Sequence, residues 1–234
     1  MTNVINDKNP PIPQVKNIVQ FTNEFQMQIN TKKTNVMLFN KSRLLDFQPE
    51  IFINDELLDV VESTKILGIM LSSNMKWDEN IEYIRSKAMK KLWMLRRIRE
   101  LGGSTQDMLD VYILKIRCLA EIACPAWNGS ITVKHSNILE RIQKSAMRII
   151  LGQNYKSYKN ALKKLDLKSL AERRKDICLT FAKKASKSSK YQAWFKRTKW
   201  KLRDNVQFLL PKTSTVRYKK SPLIYLTNLL NENS

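Results

Sequence analysis

Hydrophobic positions divide this chain near Trp77: beyond it they recur every third or fourth residue, and before it they fall in short runs between turn residues. Ile81, Ile84, Ala88, Leu92 and Leu95 form the buried stripe of a long helix starting at Asp78, with Lys87, Lys90 and Arg97 on its other faces. Gly102-Gly103 ends that helix, and Ser104 with Asp107 three residues on caps the next. The second helix, to about Ala123, is apolar nearly all round (Leu109, Tyr112, Ile113, Ile116, Leu119), so it is expected in the middle of a bundle until Pro125 stops it. A third, about Lys134 to Leu151, buries Leu139, Ile142, Ala146, Ile149 and Ile150. It aligns Arg141, Lys144 and Arg148 in one row on the opposite side, and Gly152 ends it. Ser169 to Glu172 is a capping box that opens a helix with Ile177, Phe181 and Ala185 facing in and Arg173, Arg174, Lys175, Lys183, Lys184 and Lys187 facing out.

Before Trp77 the pattern changes. Asn9-Pro10-Pro11-Ile12-Pro13 excludes a helix, after which Val15, Ile18, Val19, Thr22 and Phe25 mark an amphipathic one. Asn35 to Phe39 reads as a short strand, and Glu50 to Ile53 with Leu57 to Val61 as hairpin arms around Asn54-Asp55. Thr64 to Leu71 reads as a further strand, with Gly68 inside it marking a close approach to the backbone. The predicted fold class is α+β, mostly α. A small antiparallel sheet with one helix fills residues 1–77, a basic helical bundle fills 78–190, and a partly extended tail fills 191–234.

Charge sharpens that division. The formal net charge is +21, yet Met1 to Trp77 holds eight Lys+Arg and eight Asp+Glu, which leaves 34 of the 42 basic and 13 of the 21 acidic residues beyond it. A cationic surplus confined to one region points to nucleic acid, because neutralising phosphates releases counterions; a solvated Lys-rich surface is the alternative. In the tail, Tyr191, Trp194, Phe195 and Trp200 alternate with Lys196, Arg197, Lys199, Lys201 and Arg203, so Trp194 and Trp200 either stack on bases or pack on the bundle. Lys212 to Lys220 is expected to be extended. Cys118, Cys124 and Cys178 read as buried free thiols of a reducing compartment, and with His135 as the single histidine a zinc site has almost no ligands. Met1 to Pro13 has no signal-peptide core, and Val111 to Trp127 is too short and too charged to span a membrane. The expected location is therefore intracellular, in nucleus or cytoplasm.

Cys124-Pro125-Ala126-Trp127, followed by the run Leu139-Glu140-Arg141-Ile142-Gln143-Lys144-Ser145-Ala146-Met147-Arg148-Ile149-Ile150-Leu151-Gly152, resembles the C-terminal part of non-LTR, jockey-like retrotransposon reverse transcriptases. Upstream, Asn30-Thr31-Lys32-Lys33-Thr34 with Met37 and Phe39 is similar to that family's palm segment, and Leu67-Gly68-Ile69 with Leu71-Ser72-Ser73 and Lys76-Trp77 to its primer grip. Arg217-Tyr218-Lys219-Lys220-Ser221, with Tyr225 and Leu229-Leu230-Asn231, is similar to the closing residues of such polyproteins.

The resemblance implies a truncated palm remnant over 1–77, a thumb-like domain over 78–190 and a basic, aromatic C-terminal region over 191–234. It also implies Lys33 near the leaving pyrophosphate and Gly68 in the turn that grips a primer. The family's paired catalytic aspartates precede the palm segment, and here no Asp-Asp pair occurs; Asp7 stands alone. Polymerase chemistry is thus not expected of the chain alone, and no cofactor is expected, Mg²⁺ entering only if a catalytic palm complements it. The expected partner is duplex DNA or an RNA–DNA hybrid. It would be held by Lys33, Thr34, Gly68, Lys87, Lys90, Arg97, Arg141, Lys144, Arg148, Arg173, Arg174, Trp194 and Trp200. Alternatives are a subunit completing a polymerase with a separate fingers–palm chain, and a transposon relic without function. Attachment of the basic amphipathic helices to anionic membrane is a weaker idea, and no membrane partner is expected.

Overall fold

The computed structural model describes residues 12–39, 50–198 and 207–233. They form two compact units, Met1–Lys76 and Trp77–Ser234, and the fold is α+β, mostly α.

In the first unit, α1 (Ile12–Glu24) lays Val15 and Val19 on a core of Ile51, Ile53 and Leu58, which Ile29 and Val36 complete. The helix begins inside the segment expected to exclude it, because a proline in the first turn gives up only an N–H that has no intrahelical partner. The strands are short. β1 (Asn35–Val36) pairs in parallel with β4 (Asp59–Val60), whereas β2 (Phe52–Ile53) and β3 (Glu56–Leu57) form a hairpin. The turn residues Asn54 and Asp55 have φ of 49° and 63°, both left-handed, as a two-residue hairpin turn requires. The described strands thus make two-stranded ladders, one of them parallel, rather than one antiparallel sheet. The single strand expected over Thr64 to Leu71 is a second hairpin, β5 (Ser63–Ile66) and β6 (Ile69–Ser72), in which Ile66 pairs with Ile69. Leu67 (φ 48°) and Gly68 (φ 90°) are its turn, so Gly68 serves chain reversal.

The second unit is helical. α2 (Asp78–Glu100) buries Ile81, Ile84, Ala88, Leu92 and Leu95 as the spacing predicts. It packs on α6 (Val133–Leu151), whose N-cap Thr132 accepts from the His135 N–H. His135 Nδ1 accepts in turn from Thr132 N, which leaves Nε2 to meet Asp78 Oδ1 at 3.0 Å. At the other end the Arg99 guanidinium donates to Ile149 O at 2.9 Å. Contacts of N-terminus with N-terminus and C-terminus with C-terminus make the two helices run in the same direction.

Between them the chain forms α3 (Thr105–Val111), a π-helical stretch (Tyr112–Arg117) and α4 (Cys118–Glu121). This segment was expected to be buried all round, but Leu114 is 67% exposed and the core takes Met108, Tyr112, Ile116 and Ala120. Steps of four drift about 40° per step around an α-helix. The wider π turn absorbs the drift and keeps the four side chains on one line. Pro125 is not what ends the segment. Ala123 adopts φ 47°, and Pro125 falls in the first turn of α5 (Cys124–Trp127). Cys124 and Cys178 are buried free thiols, whereas Cys118 is exposed.

α7 (Tyr158–Lys164) leads to α8 (Leu170–Lys187), which opens with the expected Ser169/Glu172 capping box. Its buried face includes Ala185 as expected but takes Cys178 and Ala182 in place of their neighbours Ile177 and Phe181. Leu170, Arg174, Cys178, Ala182 and Ala185 are inside, while Ile177 is half-buried and Phe181 is 39% exposed. In the region expected to be a partly extended tail, residues 209–214 carry no helix or strand and Val216–Lys219 is a helical turn, α9. α10 (Pro222–Glu232) is a packed helix whose Ile224, Leu226, Leu229 and Leu230 are buried where it meets α8 and α5. No described helix is long and apolar enough to cross a membrane.

Gly129, in the turn after α5, lies hard against α10: a Cβ there would lie 2.4 Å from Tyr225 Cβ. Gly129→Ala is therefore expected to cost about 1–3 kcal/mol by overpacking. The change is read as a lower denaturation midpoint together with faster proteolytic loss of α10.

Candidate nucleic-acid interface

The α6 row is the best-formed cationic feature. Arg141, Lys144 and Arg148 lie at i, i+3 and i+7, on the side away from Leu139, Ile142, Ala146 and Ile150. Arg141 and Arg148 are exposed and Lys144 is half-buried. Among the described residues none of the three is ion-paired; two of them sit over aromatic rings instead. Lys144 Nζ is 5.1 Å from the Tyr158 ring centre and the Arg148 guanidinium 5.6 Å from that of Tyr155.

Both tyrosines come from the segment that follows Gly152, the left-handed C-cap of α6, where the chain turns back along the helix. Tyr158 is anchored, since its hydroxyl donates to Glu140 Oε1, which also accepts from Leu170 N at 3.2 Å. Burial foremost, then the Glu140 hydrogen bond, raises the Tyr158 phenol far above its ordinary value, so the ring under Lys144 is neutral at any physiological pH. Sequence reasoning missed Tyr155 and Tyr158; their place among Lys156, Lys159 and the cations of α6 was the available signal.

On α2, Lys87, Lys90 and Arg97 are exposed as expected. Lys87 lies 4.7 Å above the Tyr83 ring, and Arg97 holds a solvent-screened pair with Glu100 at 3.2 Å. Trp93, which the sequence reading passed over, is 60% exposed between Lys90 and Arg97, opposite the buried stripe.

Other expected contacts lie elsewhere. Lys33 is exposed in the turn Thr31–Lys33, where its N–H reaches Asn30 Oδ1, and half-buried Thr34 donates to Asn30 O. These two and Gly68 belong to the first unit. Trp194 is 53% exposed and stands against Tyr191, ring centres 5.1 Å apart; Trp200 lies outside the described residues. Arg173 is half-buried and tied to Glu121 at 3.0 Å, a carboxylate that Arg117 also engages at 3.3 Å.

Arg174 is a correction. It was expected on the basic back of α8 and is 1% exposed. Its Nε donates to Asn128 Oδ1 at 2.9 Å and its Nη2 to Ser136 Oγ at 3.1 Å, with the guanidinium 5.8 Å from the Trp127 ring centre. Burial lowers its pKa from the ordinary value, opposed first by Glu140. A guanidinium so enclosed reaches no phosphate. Its work is to join α8 to the turn after α5 and to the start of α6.

No group of three or more His, Cys, Asp or Glu side chains placed to hold a metal ion occurs among the described residues. Comparison with protein-family models, curated proteins and solved structures finds no match to this chain.

The two neighbouring arginines are expected to separate in their effects. Arg174→Ala loses about 3–5 kcal/mol of stability through cavity and unpaired polar groups. Arg173→Ala, removing a partly exposed ion pair, loses roughly 1 kcal/mol or less. Urea denaturation of the two variants measures the difference.

Proposed function

We propose that the helical unit binds nucleic acid through the phosphate backbone of duplex DNA or an RNA–DNA hybrid, and that the chain is related to reverse transcriptases but does not polymerise by itself. The observation that carries this reading is the α6 row. Arg141, Lys144 and Arg148 are not neutralised by carboxylates among the described residues, and Lys144 and Arg148 are held over Tyr158 and Tyr155, in the region that holds the whole +21 surplus. Cations spaced along one helix contact successive phosphates without reading base sequence. Lys87, Lys90 and Arg97 on α2 add a second cationic stripe. The ordered motifs similar to the palm segment, primer grip and C-terminal region of non-LTR reverse transcriptases support a template–primer duplex as the partner. With no Asp-Asp pair in the chain, nucleotidyl transfer is assigned to none of its residues.

A second reading, a subunit that completes a polymerase with a separate fingers–palm chain, is favoured by the short ladders of the first unit. Each described ladder has two strands, and the apolar side chains Phe52, Leu57, Val60 and Ile66 are exposed on them, as surface that a second chain would cover. Primer extension by the co-expressed pair tests it.

Binding of the full chain to a labelled RNA–DNA hybrid and to duplex DNA is expected to weaken steeply with salt. Arg141→Ala/Lys144→Ala/Arg148→Ala is expected to weaken it further and to make the log K against log salt slope shallower by roughly 2–3 on duplex DNA, about 0.9 for each phosphate left unneutralised. A wild-type chain that binds neither duplex, or binds with no salt dependence, overturns the reading.

A further inference from the structure

Two sulfur atoms lie together in the interior of the second unit. Cys124 begins α5 and Cys178 sits in the middle of α8; both are 0% exposed, and their Sγ atoms are 3.9 Å apart. The Cys178 thiol donates toward Cys124 Sγ, and Cys124 Sγ lies 3.9 Å from Arg174 O, one turn earlier on α8. Beside them is Arg174, whose side-chain partners Asn128 and Ser136 are neutral and whose buried Nη1 has no hydrogen-bond partner among the described residues. A buried cation with neutral hydrogen-bond partners favours negative charge on a neighbouring sulfur. The Cys124 thiol is held below its ordinary value, chiefly by the Cys178 S–H and then by Arg174, against burial and the Glu121 carboxylate. Cys178 is pushed up, first by the hydrogen bond it gives to Cys124 and then by burial. The two thiols thus differ in character, one favoured as the nucleophile and the other kept as its proton-bearing neighbour.

We propose that Cys124 and Cys178 are an oxidant-responsive pair, in which a hydroperoxide oxidises Cys124 and Cys178 then closes an intrachain disulfide that joins α5 to α8. In the first step the Cys124 thiolate attacks one peroxide oxygen. The O–O bond breaks, sulfur gives up two electrons to become a sulfenic acid, and hydroxide leaves and takes up a proton to become water. In the second step Cys178 sulfur attacks Cys124 sulfur. The S–O bond breaks, and the sulfenic hydroxyl departs with the Cys178 proton as water. The peroxide reaches Cys124 when α5, a single turn behind the left-handed Ala123, opens locally. Bridging positions 124 and 178 removes freedom from the unfolded chain, so the oxidised form is the more heat-stable one. The pair lies away from the α6 row, so the inference stands whether or not the chain binds nucleic acid.

The test uses the full chain carrying Cys118→Ser, which removes the exposed thiol. The folded protein is treated with hydrogen peroxide at neutral pH, remaining thiols are alkylated, and peptides are analysed by mass spectrometry. The expected result is a Cys124–Cys178 link that dithiothreitol reverses, with a thermal midpoint raised by about 5–10 °C. In a second variant that adds Cys178→Ala, oxidation stops at a Cys124 sulfenic acid that dimedone traps. The proposal is overturned if both thiols survive peroxide in the folded chain but react in denaturant, or if Cys124 runs on to sulfinic acid with Cys178 present and unlinked.

Discussion

A single buried guanidinium holds the helical unit's parts in register. Arg174 leaves α8 for the interior, lies against Trp127 and donates to Asn128 and Ser136, which sit after α5 and at the start of α6. Asn128 uses its other end, with Nδ2 donating to Tyr225 OH at 2.9 Å, and Ser130 donates to Lys220 O. One amide therefore stands between the buried cation and the last helix. A polar group enclosed this way stabilises only while every partner is present, because each orphaned donor or acceptor retains its full desolvation penalty. The network so restricts how α5, α6, α8 and α10 can be arranged, and the outward direction of the cations on α6 follows from that arrangement.

The surface of this unit is cationic in two different ways. Arg85, Lys168 and Lys175 meet Glu82, Asp176 and Glu232, pairs that water screens and that leave little net field. Arg141, Lys144 and Arg148 have no such partners among the described residues, and Lys144 and Arg148 rest on ring faces, which orient a cation without cancelling its charge. A tyrosine ring beneath a lysine also covers the methylene stem, so the charged end is presented with less freedom left to lose on meeting an anion.

Much of this was legible from residue order. The stripe of α2, the capping boxes at Ser104 and Ser169 and the Asn54-Asp55 turn all follow from local rules, because each is settled by residues within one or two turns of each other. What escaped depends on distant partners. Arg174 looks like one cation among several on α8 until Asn128 and Ser136, 46 and 38 residues away in sequence, are brought to it. With it inside, Cys178 and Ala182 face the core and Phe181 is left outside. The hairpin turn at Gly68 escaped because the apolar run continues through Leu67, a residue that rarely adopts left-handed φ and here does, with 92% of its surface exposed. Tyr155 and Tyr158 became relevant only when the turn after Gly152 folded them back beneath α6.

The π-helical stretch from Tyr112 to Arg117 is a helix with one residue to spare. Winding those six residues as a regular α-helix with none removed would swing everything from Cys118 to the left-handed Ala123 by about 100° around the axis. Glu121 would then leave both Arg117 and Arg173, and Ala120 would leave the interior. The six-residue stretch therefore sets the phase of the helix beyond it: the wider turn takes up one residue, and tightening the turn around that residue moves every side chain that follows.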